Sequence, residues 1–163
     1  AHDGNGVNLE TDINQLAWIS HYSPIVHDAN GICRARPEYY GMLAFALAGQ
    51  GELLKLTLDK GDLNLTAYAT RDDAGQFWLT IVNKDLAQAA AVVVSLPEND
   101  SRATAFRLTA PSAESQDQVT LGGAEVTADG NWSPKSPEKM AVADRNLRLN
   151  VPPASAVLVR LQR

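Results

Sequence analysis

The chain has little of what several protein classes require. A single cysteine, Cys33, excludes an internal disulfide and leaves any zinc site to histidines. The three histidines, His2, His21 and His27, show no ligand spacing, so neither a metal nor another cofactor is expected. Positive charge is in deficit. The 14 Lys and Arg residues stand against 19 Asp and Glu, a formal net charge of −5, which argues against a polyanion-binding surface and so against nucleic acid or anionic membrane as partners. No apolar run approaches the roughly 20 residues of a membrane span. The sequence opens at Ala1 without an initiator Met or a signal segment, in what reads as ordered protein, and therefore reads as a processed product or a fragment. Its 163 residues suffice for one domain with a sizeable core, with room for an appendage.

What is present begins with RPEYYGMLAFALAGQG, Arg36 to Gly51. Pro37 suits a first helical turn, Glu38 sits at the positive end of the helix dipole, and Gly49 is expected to end the helix in the left-handed conformation. Between them Tyr39, Tyr40, Met42, Leu43, Ala44, Phe45, Ala46, Leu47 and Ala48 leave no polar face. A helix that is apolar all round needs neighbours on at least two sides. Tyr40, Leu43 and Leu47 form one stripe of it.

From residue 53 onward the texture becomes short runs of period two between turn residues, which predicts antiparallel β structure. Strands are expected at about Leu53–Asp59, Leu63–Arg71, Phe77–Asp85, Ala89–Leu96, Arg102–Thr109, Val119–Val126, Leu147–Val151 and Ser155–Gln162. The turns LDKGD, RDDAGQ, PENDS, ADGNW and VPPAS separate them. Leu63, Leu65, Ala67 and Ala69 are expected on a core face, with Asn64, Thr66, Tyr68 and Thr70 on a wet one. Residues 1–52 differ: GVNLE, Gly6 to Glu10, reads as a strand, followed by a long loop and the apolar helix. Strand, loop and helix make half of a βαβ unit, which belongs to a parallel sheet absent from the rest of the chain. The predicted fold is mainly β, an antiparallel β-sandwich of about eight strands in residues 53–163, preceded by one strand-loop-helix unit in residues 1–52.

The series GVN, YSPI, RPEYYGMLAFALAG, YATRDDAGQFWLTIVNKD, VTLGGAEVTADGNWSP and PPASAVLVRL resembles, in order and over nearly the whole chain, the C-terminal part of glycoside hydrolase family 79, which includes microbial β-glucuronidases and heparanases. The resemblance implies a (β/α)8 barrel joined to a β-sandwich, with Gly6–Glu10 as barrel strand eight, Pro37–Ala48 as helix eight, and residues 53–163 as the sandwich. It implies a secreted or periplasmic retaining glycosidase acting on a glucuronide-type carbohydrate. The family's two catalytic glutamates lie on barrel strands four and seven, outside this stretch, so an upstream barrel polypeptide is the expected partner, with self-association of the exposed surfaces as the alternative.

On the same resemblance Asn8 and Tyr22 are substrate-binding candidates. An amide both donates to and accepts from hydroxyls, and a phenol does the same. Each could instead serve the local backbone or loop packing. The sequence departs from the family at LETDINQ, where Glu10 and Asp12 place carboxylates near the pocket in place of an aromatic or histidine stretch. Glu10 could act at a strand end, although a carboxylate there repels an acidic sugar. His21 could be a pH-sensitive donor beside Tyr22 or a surface histidine. In the sandwich, Tyr68, Trp78 and Trp132 could stack on sugar, which would make the chain a self-standing carbohydrate-binding module, or could pack the helix. Sequons at Asn64, Asn99 and Asn131 would matter in a eukaryotic secretory pathway.

Overall fold

The computed structural model describes residues 23–27, 30, 32–96 and 102–162. The expected strand Gly6–Glu10 lies outside them. In chain order the elements are β1 Ile25–His27, β2 Cys33–Ala35, α1 Pro37–Ala48, β3 Glu52–Leu54, β4 Leu65–Arg71, β5 Phe77–Asn83, β6 Ala90–Ser95, β7 Arg102–Thr109, β8 Thr120–Leu121, β9 Glu138–Ala141, β10 Asn146–Val151 and β11 Ser155–Gln162. The architecture is mainly β and antiparallel throughout, as the sequence pattern requires.

A seven-stranded sheet runs in the order β3-β4-β5-β11-β7-β8, and β9 also pairs with β7. β8 and β9 share one edge of β7 end to end, at Leu108–Thr109 and Arg102–Ala105. A two-stranded sheet, β6 with β10, covers one face. Between the sheets lie Leu65, Leu79, Ile81, Ala103, Ala105, Val157, Val159 and Leu161 against Ala90, Leu147, Leu149 and Val151. Alternation along β10 is strict, with Leu147, Leu149 and Val151 buried and Arg148 and Asn150 exposed, because one face is core and the other water.

The opposite face of the large sheet carries α1. Tyr40, Leu43, Ala44, Leu47 and Ala48 pack on Trp78, Phe106, Leu108, Leu121 and Leu158. This face is therefore wet only in part: Thr70, expected in water, is buried under the end of the helix.

α1 spans the twelve residues that its punctuation predicts. Its ending differs from expectation. Gly49 has φ −100°, and the left-handed residue is Gly51, with φ +82°. Gly49 is needed for closeness instead, since a Cβ there would lie 2.6 Å from the Phe45 ring. At Gly51 a Cβ would strike the Arg71 carbonyl, where β3 turns onto β4.

Two strand expectations are corrected. The run Leu53–Asp59 pairs only through Glu52–Leu54, after which it leaves the sheet so that Leu58 can cover the core. Val119–Val126 is broken by Gly122 and Gly123, both at positive φ, leaving β8 two residues long. β9 and the β1–β2 hairpin were not expected. In β9 the charged Glu138 and Lys139 are exposed and Met140 alone packs on the core, so no alternation signals a strand.

Candidate functional site

The substrate-binding candidates Asn8, Glu10 and Tyr22, with Asp12 and His21, lie outside the described residues. The aromatic candidates are placed. Thr70 pairs with Trp78 and Tyr68 with Thr80, so Tyr68 and Trp78 share the helix-bearing face of the sheet. They do not make a platform with Trp132. Tyr68 is half exposed on β4, whereas Trp78 is packed against Phe106, ring centroids 5.9 Å apart, with the Arg160 guanidinium 5.9 Å over its ring. Trp132 stands by β8 and donates its indole N–H to the Leu121 carbonyl, 3.1 Å away. Two of the three aromatics thus serve the core beneath α1.

The helix itself is fastened at both ends. Near its start Tyr40, 3% exposed, accepts a 3.0 Å hydrogen bond on its phenol oxygen from the Val126 N–H. Burial pushes that phenol above its ordinary value, against the opposing pull of the Val126 N–H. At its end the Thr70 hydroxyl donates to the Ala48 carbonyl at 2.6 Å. The outward side of the helix is apolar and uncovered among the described residues: Phe45 is 68% exposed and Met42 39%, with Gly41 and Ala46 exposed beside them. The sequence asks for neighbours on two sides of this helix, and the described residues fill one.

Two carboxyls, Asp85 and Asp129, are held below their usual range. Asp85 accepts the Ala87 and Gln88 N–H groups, and Asp129 is bonded by the Thr127 hydroxyl and the Asn131 amide. A proton donor to a glycosidic oxygen needs the opposite shift. No three His, Cys, Asp or Glu side chains converge on a metal position among the described residues.

The fold is a helix laid on one face of a large antiparallel sheet that a small second sheet backs on the other. Several solved glycosidases share the fold. The arabinofuranosidase of family GH51 from Thermotoga petrophila RKU-1 aligns with TM-score 0.66 and 15% identity, over 88% of this chain and 32% of that one. The GH51 arabinofuranosidase from Xanthomonas axonopodis pv. citri gives 0.61 and 19%, over 86% and 29%. The 4-O-α-L-rhamnosyl-β-D-glucuronidase from Fusarium oxysporum 12S gives 0.57 and 20%, over 74% and 28%. The chain therefore spans about a third or less of the length of these enzymes. Residues 44–158 match the glycosyl hydrolase family 79 C-terminal beta domain, and the chain belongs to that family. No curated protein matches the sequence.

Proposed function

We propose that this chain is the C-terminal part of a retaining family 79 glycosidase of β-glucuronidase or heparanase type. Its sandwich buttresses a catalytic barrel carried by an upstream polypeptide, and Asn8, Tyr22 and Glu10 lie near the sugar in the complete enzyme. The observation that carries this reading is the two-sided apolar helix: Tyr40, Leu43 and Leu47 bind α1 to the sandwich while Met42 and Phe45 present a second apolar side with nothing described against it. A retaining mechanism needs two carboxyl groups about 5 Å apart, one as acid/base and one as nucleophile. The resemblance assigns both to the barrel, so catalysis belongs to the assembled enzyme.

The test is to produce the chain with and without the upstream polypeptide of its gene. Together they should form a stable unit that hydrolyses aryl β-glucuronides, and the 163-residue chain alone should not. Phe45→Asp should disrupt the unit while leaving the isolated chain folded. Hydrolysis by the isolated chain, or assembly indifferent to Phe45→Asp, would overturn the reading.

A further inference from the structure

The face of the large sheet that bears α1 carries a cluster of cations beside the helix. Arg160 of β11 stands on that face between Trp78 of β5 and Thr104 of β7, and Lys139 of β9 lies beyond Thr104 in the same cross-strand row. Two strand spacings set Arg160 and Lys139 roughly 10 Å apart. Arg102, opposite Gln162, occupies the next row of the same face. A chain with a formal net charge of −5 thus gathers three cations on one patch.

None of the three has a carboxylate partner among the described residues. The ion pairs found there are Arg71–Glu52 and Arg107–Glu138. The register turns all four of those residues to the opposite face of the sheet, toward the small sheet.

Arg160 is the most constrained of the cluster. Its guanidinium lies 5.9 Å from the Trp78 ring centre and 6.0 Å from that of Phe106, and its Nε is buried without a hydrogen-bond partner. Arg102 and Lys139 are exposed, and Arg160 keeps part of its surface in water. The rings attract the cation but supply no acceptor for its N–H groups, and a polar atom buried unpaired calls for one. Because the aromatic bed shields and steadies the guanidinium, a carboxylate meeting its planar fork would be held more strongly than in open water and at less cost in side-chain freedom.

We infer that Arg160, with Lys139 and Arg102 beside it, receives side-chain carboxylates of the upstream polypeptide and so fixes how that polypeptide sits on the sandwich. The inference rests on the reading above that such a polypeptide accompanies the chain. Two observations favour this occupant. Trp78 and Phe106 support both α1 and the Arg160 guanidinium, so a partner seated on the outward side of the helix reaches Arg160 on the same face. The chain is acidic overall, so the rest of its surface repels a long polyanion, whereas a few carboxylates on a folded partner meet only the patch.

The test measures assembly of the chain with the upstream polypeptide at several salt concentrations. Wild-type assembly should weaken as salt rises. Arg160→Met keeps a long side chain over the rings and removes the charge. It should weaken assembly at least tenfold at low salt, flatten the salt dependence, and leave the melting temperature of the isolated chain within a few degrees. Arg160→Lys should recover part of the loss. Arg148→Met removes an exposed cation from β10 of the small sheet and should leave assembly unchanged. The partner group is identified with a carbodiimide, which joins an amine to a carboxylate in contact with it: in the assembled wild-type enzyme Lys139 should be linked to an Asp or Glu of the upstream polypeptide. Assembly as tight in Arg160→Met as in wild type, or weakened equally by Arg148→Met, would overturn the inference and spare the buttress reading, whereas absence of assembly would end both. Lys139 linked to a carboxylate of its own chain or of a second copy would overturn it. So would retention of the isolated chain on immobilised hyaluronan that Arg160→Met abolishes, since the patch would then serve an acidic polysaccharide.

Discussion

Thr70 and Ala48, 22 residues apart in sequence, are joined by a 2.6 Å hydrogen bond from the threonine hydroxyl on β4 to the last carbonyl of α1. The bond meets a need that the sequence creates. The final carbonyls of a helix have no partner inside it, and this helix ends against a sheet rather than in water. A threonine at the buried position opposite Trp78 therefore both fills space and satisfies the helix.

Thr70→Val should keep the shape and lose the bond, leaving the Ala48 carbonyl buried and unpaired. A loss of about 1 to 3 kcal/mol is expected in urea unfolding, and Thr70→Ser should recover most of it. If valine costs nothing, water reaches that carbonyl and the helix end is not sealed.

The two sides of α1 should respond differently. Leu43 packs beneath the helix but keeps some exposure, which places Leu43→Ala near the lower end of the usual range, about 2 kcal/mol. Phe45→Ala removes a larger side chain from the exposed side and should stay within about 0.5 kcal/mol in the isolated chain. Thermal melts of the two variants side by side decide the matter. Equal losses would show that Phe45 is already covered in the chain alone.

The acid limb of stability should depend on Asp85. Backbone N–H groups of Ala87 and Gln88 hold its carboxyl below the ordinary 3.8. A carboxyl depressed in the folded state favours folding above its unfolded value, and the benefit is lost as pH falls through the lower folded value. Stability should therefore drop as pH is lowered below about 4, and Asp85→Asn should flatten that part of the curve. A variant as acid-sensitive as the wild type would assign the effect elsewhere.

How far the sequence reveals this molecule depends on how local the cause is. Pro37 and the closing glycines delimit α1 within the chain itself, and its twelve residues are legible. β7 and β11 have the expected bounds, Arg102–Thr109 and Ser155–Gln162, although β11 is buried without a break over its first five residues. The geometry of Gly49 is not, because its constraint is the Phe45 ring and the left-handed turn falls at Gly51, where β3 must meet Arg71. β9 is hidden for a similar reason: only its pairing with Arg102–Ala105 makes EKMA a strand. Among the site candidates, the shared face of Tyr68 and Trp78 depends on a cross-strand register that the RDDAGQ turn leaves open by one residue. The family resemblance rested on ordered motifs spread along the chain, and the match over residues 44–158 bears it out. Asn8, Glu10 and Tyr22 fall outside the described residues, and their contact with sugar stays with the proposal for the complete enzyme.

Asn83 offers the sharpest test of the sandwich itself. It is 1% exposed at the end of β5, and its amide nitrogen faces the carbonyls of Gln88, Val151 and Pro152 at 2.8, 3.1 and 3.1 Å. Its oxygen accepts the Asp85 N–H at 3.0 Å. One side chain thus ties the β5–β6 turn to the end of β10. Asn83→Asp keeps the accepting oxygen and replaces the donor with an oxygen aimed at three carbonyls. Ionised, that group is buried and repelled, so its folded pKa should rise above the unfolded value of about 3.9. A group whose pKa is raised on folding holds its proton more tightly in the native state. The variant should therefore be least impaired below pH 4, lose stability as pH rises through the folded pKa, and be about 3 kcal/mol or more below wild type at neutral pH. Urea midpoints measured at low and neutral pH against wild type would show this divergence. A loss that is the same at both values would mean that the carboxyl stays in one protonation state or reaches water, and that the three carbonyls do not depend on Asn83.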